Sequence, residues 1–256
     1  MKLLVKLGGT LLDSAESRTA ISAQLATAVK QHPQTVVVHG GGKQMTRYLT
    51  DHNVESKFVN GLRVTSPEVV DALLKVFAGT VNHLLVSSLV SQGVDAVGLS
   101  GIDAGLTEAV QLNPELGAVG KVTKANPKVL DVLTAGGFVP VVACVAGDRM
   151  GNIYNVNADQ MAVACAAGFG AGKLLFLTDV DGVRAADGKV IPVLTMAESR
   201  QLIQDGIATG GMQAKLNAAE AALTAGVSEV LIAQGGTPGI LQRLLSDEAV
   251  GTKFVR

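Results

Sequence analysis

A run of three valines, Val36-Val37-Val38, passes through His39 into three consecutive glycines, Gly40-Gly41-Gly42, and constrains this chain more than any other stretch. Following Thr35, the valines form a short strand apolar on both faces, which belongs inside a parallel sheet. The glycines end that strand abruptly, and a helical pattern starts at Lys43, with Met45 and Leu49 on one face. A tight strand-to-helix turn needs one glycine, sometimes two. Three residues without Cβ also let backbone N–H groups approach an anion, where the helix N-terminus adds partial positive charge. The stretch therefore predicts an anion site as well as a turn.

Strand and helix patterns alternate along the rest of the chain. Strands are expected at 2–7, 94–99, 138–143, 174–177 and 229–233, with a short one at the C-terminal end. A hairpin over 106–124 turns at Asn113-Pro114-Glu115, and residues 53–65 read as polar and irregular. Asp13 with Glu16 forms a capping box for a helix to about Val29. Ser66, followed by Pro67, opens a long apolar helix to Ser91 with a break at Gly79. Asn157 with Gln160 begins an Ala-rich helix ending near Gly168, and further helices are expected at 127–135, 196–205, 211–225 and 238–245. This order predicts an α/β fold with a mainly parallel sheet covered on both faces. A soft boundary near Gly170-Ala171-Gly172 divides 1–172 from 173–256.

A net charge of −1 and the lack of a Lys/Arg run point away from nucleic acid as a partner. Met1-Lys2-Leu3-Leu4-Val5-Lys6 does not read as a signal peptide, and no uncharged apolar run reaches the length of a membrane span. Cys144 and Cys165 lie in apolar, Ala-rich surroundings, as expected of free thiols in a cytoplasmic protein. His32, His39, His52, His83 and the cysteines show no metal-ligand spacing.

The standard nucleotide fingerprints are missing: no Gly-x-Gly-x-x-Gly follows the first strand, and no Gly-x-x-x-x-Gly-Lys-Ser/Thr occurs. Glycine turns and isolated charges fall instead at expected strand ends, where open α/β sheets bind ligands. Lys6 interrupts an apolar strand directly before Leu7-Gly8-Gly9, where an unpaired charge is costly. Its ammonium either snorkels to solvent or faces an anion over the Gly8-Gly9 turn. Lys215 follows Gly210-Gly211-Met212 in the first turn or so of a helix, the end that disfavours cations unless an anion binds there. A solvated surface lysine is the plain alternative.

Asp159, within Asn155-Val156-Asn157-Ala158-Asp159-Gln160, suits a helix's first turn, whereas Asn155 lies outside the cap. Arg63 is either an exposed charge or a planar fork for a carboxylate, and Asp179 and Asp181 are turn formers as well as candidate nucleotide contacts. Together, two lysines, one aspartate and the glycine turns suit phosphoryl transfer, in which a protein mainly positions groups and neutralises spreading charge. A carboxylate acceptor is already ionised at neutral pH and requires no general base.

These residues resemble the amino-acid kinase family, and within it the branch that phosphorylates N-acetyl-L-glutamate. The resemblance is carried by Lys6-Leu7-Gly8-Gly9, His39-Gly40-Gly41-Gly42, Asn60-Gly61-Leu62-Arg63-Val64-Thr65 and Glu115-Leu116-Gly117. It continues through Asn155 to Gln160, Thr178-Asp179-Val180-Asp181-Gly182-Val183, Thr209-Gly210-Gly211-Met212 with Lys215, and Gly251-Thr252. It implies a three-layer αβα sandwich, with the acyl amino acid in an N-terminal lobe (1–172) and ATP in a C-terminal lobe (173–256). It also implies Mg2+-dependent phosphorylation of the substrate's γ-carboxylate in arginine biosynthesis, with the metal carried by the ATP phosphates and not by protein side chains.

By the same resemblance, Lys6 and Lys215 stabilise the transferring phosphoryl group, Asp159 holds both lysines, and Gly41, Gly42, Arg63 and Asn155 bind the acyl amino acid. Gly8, Gly9, Asp179, Val180, Asp181, Gly182, Val183, Arg184, Ile207, Ala208, Thr209 and Met212 are expected to contact the nucleotide. Ile102 departs from the lysine expected there in relatives. A kinase of an N-blocked α-aminoadipate is the alternative within the family, and a non-catalytic amino-acid sensor the alternative outside it. The run of five residues before Lys6 leads to the expectation of a homodimer, joined through the 67–91 helix, that free arginine does not inhibit.

Overall fold

The computed structural model describes residues 1–256. The chain opens with β1 (Leu3–Leu7), a 3-10 turn (Gly9–Leu12), α1 (Ala15–Gln31), β2 (Thr35–His39) and α2 (Gly42–Asp51). A small hairpin, β3 (Phe58–Val59) and β4 (Leu62–Arg63), leads into α3 (Pro67–Leu73), which continues through the π-helical segment Leu74–Val81 into α4 (Asn82–Ser91). Then come β5 (Ala96–Ser100), β6 (Thr107–Gln111), β7 (Gly120–Ala125), α5 (Lys128–Ala135) and β8 (Val139–Ala143). β9 (Val145–Gly147), β10 (Ile153–Asn155) and α6 (Ala158–Phe169) follow. The last part holds β11 (Lys173–Thr178), β12 (Val193–Thr195), α7 (Met196–Gln204), α8 (Gly210–Thr224), β13 (Glu229–Gln234), α9 (Ile240–Leu245) and β14 (Thr252–Val255).

Eight strands form the central sheet in the order β12-β14-β13-β11-β1-β2-β8-β5. Every neighbouring pair is parallel except β13 with β14. Consecutive residues such as Val36, Val37 and Val38, or Leu174 to Leu177, are wholly buried because both sheet faces are covered. The path from β1 to β2 runs one way along the sheet, while that from β11 to β13 runs the other. Right-handed crossovers therefore place α1 and α8 on opposite faces. α1 packs with α4 and α9, and α8 packs with α6, giving the two outer layers of an αβα sandwich. β1 and β11 are neighbours whose crossovers diverge, so a crevice opens beyond their C-terminal ends. A second sheet, β10-β9-β6-β7, packs against α3 and the π-helical segment.

Several local expectations are corrected. Ser14, not Asp13, caps α1, reciprocally with Ser17, and Asp13 pairs with Arg47 at 2.6 Å. Gly79 does not break its helix; the chain widens into π-helical turns there. Residues 58–63 are not irregular but form the β3–β4 hairpin. Asn157 accepts hydrogen bonds from the Asp159 and Gln160 N–H groups, without a reciprocal bond from Gln160. The Pro67–Ser91 helix is apolar enough by length and composition to cross a bilayer. Leu73, Phe77, Leu85 and Leu89 of this helix are buried in the core, whereas Leu84 and Val90 are exposed.

Candidate active site

The glycine turns meet at the crevice. The Gly8 N–H donates to the Leu177 carbonyl at 2.7 Å, which ties the end of β1 to that of β11, and a Cβ at Gly8 would lie 3.0 Å from the same oxygen. A Cβ at Gly9 would lie 3.9 Å from the Gly42 nitrogen, so the two turns face each other across a narrow gap. Gly41 is packed under the Phe77 ring, which a Cβ there would meet at 2.9 Å. α2 and α8 both begin on glycine without a side-chain cap, leaving N–H groups at their N-terminal ends without an intrahelical partner.

The charges converge on the same place. Leu3, Val5 and Leu7 point to one side of β1, so Lys6 points to the other, where α6 lies. Its ammonium sits 2.6 Å from Asp159 Oδ1, and the Lys215 ammonium sits 3.6 Å from Asp159 Oδ2. The side chains of Lys6 and Asp159 are only 9% and 8% exposed, and that of Lys215 is 18% exposed, so the cluster is nearly dry but open on the Lys215 side. Burial pushes the Asp159 carboxyl up, yet the adjacent Lys6 and Lys215 charges outweigh it and hold the pKa below the usual carboxylate range. Asp159 is therefore an anion bridging two cations. Each ammonium has three N–H donors and retains some for a further anion. Lys215 lies in the second turn of α8, slightly deeper than its spacing suggests.

Arg63 is buried against the start of α2. Its Nη2 donates to Thr46 Oγ1 at 2.8 Å and to the Gly42 carbonyl at 3.2 Å, and Nη1 donates to Ser56 Oγ. The guanidinium also stacks over Phe58 at 4.5 Å. The expected free fork is thus already braced on one side by the protein. Asn155, at the end of β10, donates from Nδ2 to Thr65 Oγ1 at 3.1 Å.

The residues expected around a nucleotide divide. Asp179, Val180 and Asp181 are exposed beyond β11, with Asp181 paired to Arg184 at 3.0 Å. Val183 is wholly buried, its N–H held by Thr252 Oγ1 and its carbonyl by the Ile191 N–H, so it supports the loop from behind instead of facing the crevice. Gly182 is buried beside it. Ile207 and Thr209 are exposed ahead of α8 and Gly210 is exposed at its start, Ala208 is buried, and Met212 packs partly into the core.

Asn82 carries no local signal, and His39 reads only as part of the glycine motif. Asn82 Nδ2 lies 2.9 Å from His39 Nε2 and 2.9 Å from the Val141 carbonyl, while His39 Nδ1 lies 2.7 Å from the Gly40 carbonyl. Since the carbonyls accept, the His39 proton sits on Nδ1 and Nε2 accepts from Asn82. Burial pushes the His39 pKa down to about 4, so the ring is neutral and pins the first peptide of the glycine turn. Between pH 6.5 and 4 the unfolded chain then binds a proton that the folded chain does not, and stability falls as pH falls through that window. His39 should supply a loss of about 2 kcal/mol between pH 7 and 4.5. Urea unfolding at both pH values, for the wild type and His39→Gln, checks this; an identical pH dependence would remove His39 as the source.

Comparison with known proteins gives a consistent result. The model of the amino acid kinase family matches residues 1–234. An acetylglutamate kinase of Solibacter usitatus is 68% identical over 255 residues, covering 100% of this chain and 99% of that protein. An acetylglutamate kinase of Geobacillus thermodenitrificans is 41% identical over 237 residues, covering 92% and 91%. Among solved structures, an N-acetylglutamate synthase from Neisseria gonorrhoeae superposes with a TM-score of 0.86 at 24% identity, covering 100% of this chain and 59% of that one. At that identity the likeness shows the fold alone.

Proposed function

We infer the function from one premise: this chain belongs to the amino acid kinase family. Its activity is ATP-dependent phosphorylation of the γ-carboxylate of N-acetyl-L-glutamate, EC 2.7.2.8, in arginine biosynthesis. The observation that carries this reading is the 68% identity to an acetylglutamate kinase across the whole chain. The Lys6–Asp159–Lys215 cluster at the crevice supplies the chemistry it requires.

Lys6 and Lys215 approach the crevice from β1 and α8, and we assign them to the oxygens of the transferring phosphoryl group. Asp159 pairs with both ammoniums and aims them, and the acceptor carboxylate needs no deprotonation. Gly41, Gly42, Arg63 and Asn155 are assigned to the acyl amino acid, on the side of the lobe 1–172. Gly8, Gly9, the exposed residues Asp179, Val180, Asp181 and Arg184, and Ile207 to Met212 are assigned to ATP, on the side of 173–256. In the central sheet β11 to β14 form one half and β1, β2, β5 and β8 the other, which favours this division.

Asp159 is already committed to two cations, and no three His, Cys, Asp or Glu side chains gather elsewhere. Mg2+ is accordingly assigned to the nucleotide phosphates, where it supplies charge neutralisation. The protein is a soluble metabolic enzyme, and we place it in the cytoplasm. We also propose a homodimer through the 67–91 helix, on which Leu84 and Val90 are exposed. Light scattering should give the mass of two chains, and the mass of one would contradict it.

The function is tested by trapping the acyl phosphate with hydroxylamine in the presence of MgATP and acetylglutamate; no trapped product would overturn it. In the same assay Arg63→Ala should raise the KM for acetylglutamate about 10–100-fold, the worth of a charge-assisted pair, with the KM for ATP nearly unchanged. Equal weakening of both substrates would remove Arg63 from the acceptor site.

A further inference from the structure

Thr65 stands where three separate segments meet. It is wholly buried just beyond the β3–β4 hairpin that carries Arg63. Its N–H donates to the Leu116 carbonyl at 2.9 Å, and its carbonyl accepts from the Ala118 N–H at 2.8 Å. Between those partners Gly117 takes φ +65, and a Cβ there would lie 2.3 Å from the Thr65 oxygen, so only glycine permits the approach. Ala118 in turn accepts from the Asn155 N–H at 2.8 Å, which brings β10 into the same joint.

The hydroxyl of Thr65 joins the side chains across that joint. Oγ1 lies 2.8 Å from the Arg63 carbonyl and 3.1 Å from Asn155 Nδ2. A carbonyl can only accept, so the single hydroxyl proton of Thr65 goes to Arg63. The oxygen is then left as an acceptor, and it must take an N–H from Asn155. This relay fixes which way the Asn155 amide faces: Nδ2 towards Thr65, and Oδ1 away from it.

We infer that Thr65 is a positioning residue for the acceptor substrate, holding the Arg63 backbone and the Asn155 amide in one fixed relation through its hydroxyl. The inference rests on the assignment of Arg63 and Asn155 to the acyl amino acid. Valine has the shape of threonine without the hydroxyl, and serine keeps the hydroxyl without the methyl, so the two replacements separate the relay from packing. Thr65→Val should raise the acceptor KM about tenfold, the effect of leaving one buried partner unsatisfied, with the KM for ATP unchanged. Thr65→Ser should stay within about twofold of the wild type, because serine retains both halves of the relay. In an Asn155→Ala background, Thr65→Val should add less than about a further twofold, since coupled residues are not additive.

The experiment is steady-state kinetics of the intact enzyme and these variants with acetylglutamate, N-acetyl-α-aminoadipate, glutamate and aspartate as separate acceptors. An unchanged acceptor KM in Thr65→Val, a Thr65→Ser no better than Thr65→Val, or equal rises for ATP and acceptor would each overturn the proposal. A wild type active on a different acceptor would change the substrate reading while leaving the Thr65 comparison intact on that acceptor. A wild type active on none would overturn both.

Discussion

Lys215→Ala should lower kcat about 10²–10³-fold, the usual effect of removing one donor aimed at charge that develops in the transition state. The KM values for ATP and acetylglutamate should change far less, because the donor acts mainly on charge that spreads as the phosphoryl group moves. Asp159 would keep its closer partner, Lys6 at 2.6 Å, so the variant should fold and bind. Lys6→Ala should cost as much in turnover and also destabilise the fold, since Asp159 would retain only the Lys215 ammonium at 3.6 Å. Steady-state kinetics checks the assignment, and near-normal turnover in Lys215→Ala would sink it.

Asp159→Asn should destabilise the protein by about 3–5 kcal/mol, because removing one partner of a buried ion pair strands the other. Lys6, with a side chain 9% exposed, would then hold an uncompensated charge beside Lys215. The amide keeps the shape of the carboxylate, so the loss would report charge and not a cavity. Turnover should fall as well, since both ammoniums lose the group that aims them. Urea unfolding at neutral pH measures the first effect; a change below about 0.5 kcal/mol, the range of an ordinary surface replacement, would contradict a structural role for the bridge.

Much of this site was legible in the sequence because its parts are local. The strand Val36 to Val38, the glycines that end it and the charge of Lys6 inside an apolar run each violate an ordinary pattern within a few residues. Their meeting follows from the parallel sheet, which brings the C-terminal ends of β1, β2 and β11 together. The β3–β4 hairpin also carried a local signal, Asn60-Gly61 between Phe58-Val59 and Leu62, but its two-residue strands are too short for an alternating pattern. Asp13 and Ser14 are both good N-caps, and the choice fell to Ser14 because Asp13 is drawn to Arg47.

What stayed hidden is tertiary. Asn82 sits in an apolar helix and looks misplaced until it meets His39 and the Val141 carbonyl, 59 positions away in sequence. A Cβ at Gly98 would lie 2.1 Å from Asn82 Oδ1, so that glycine makes room for the amide and marks no turn. Thr65 lies inside a recognised motif, yet its importance depends on Asn155, 90 positions later. Gly251-Thr252 belongs to a recognised motif, yet its sequence does not show that Thr252 holds the Val183 N–H at 2.8 Å and so braces the loop beyond β11.

The most direct measurement is kcat/KM with MgATP for acetylglutamate, N-acetyl-α-aminoadipate, glutamate and aspartate in parallel, read as ADP release. Acetylglutamate should be the best of the four. The longer acceptor should be weaker by about 10–200-fold, the range for one methylene in a fitted pocket. Glutamate and aspartate, whose free ammonium groups replace the acetamide, should be weaker still. Equal or better turnover of any of the other three, or no ADP release with acetylglutamate, would contradict the function assigned to this site.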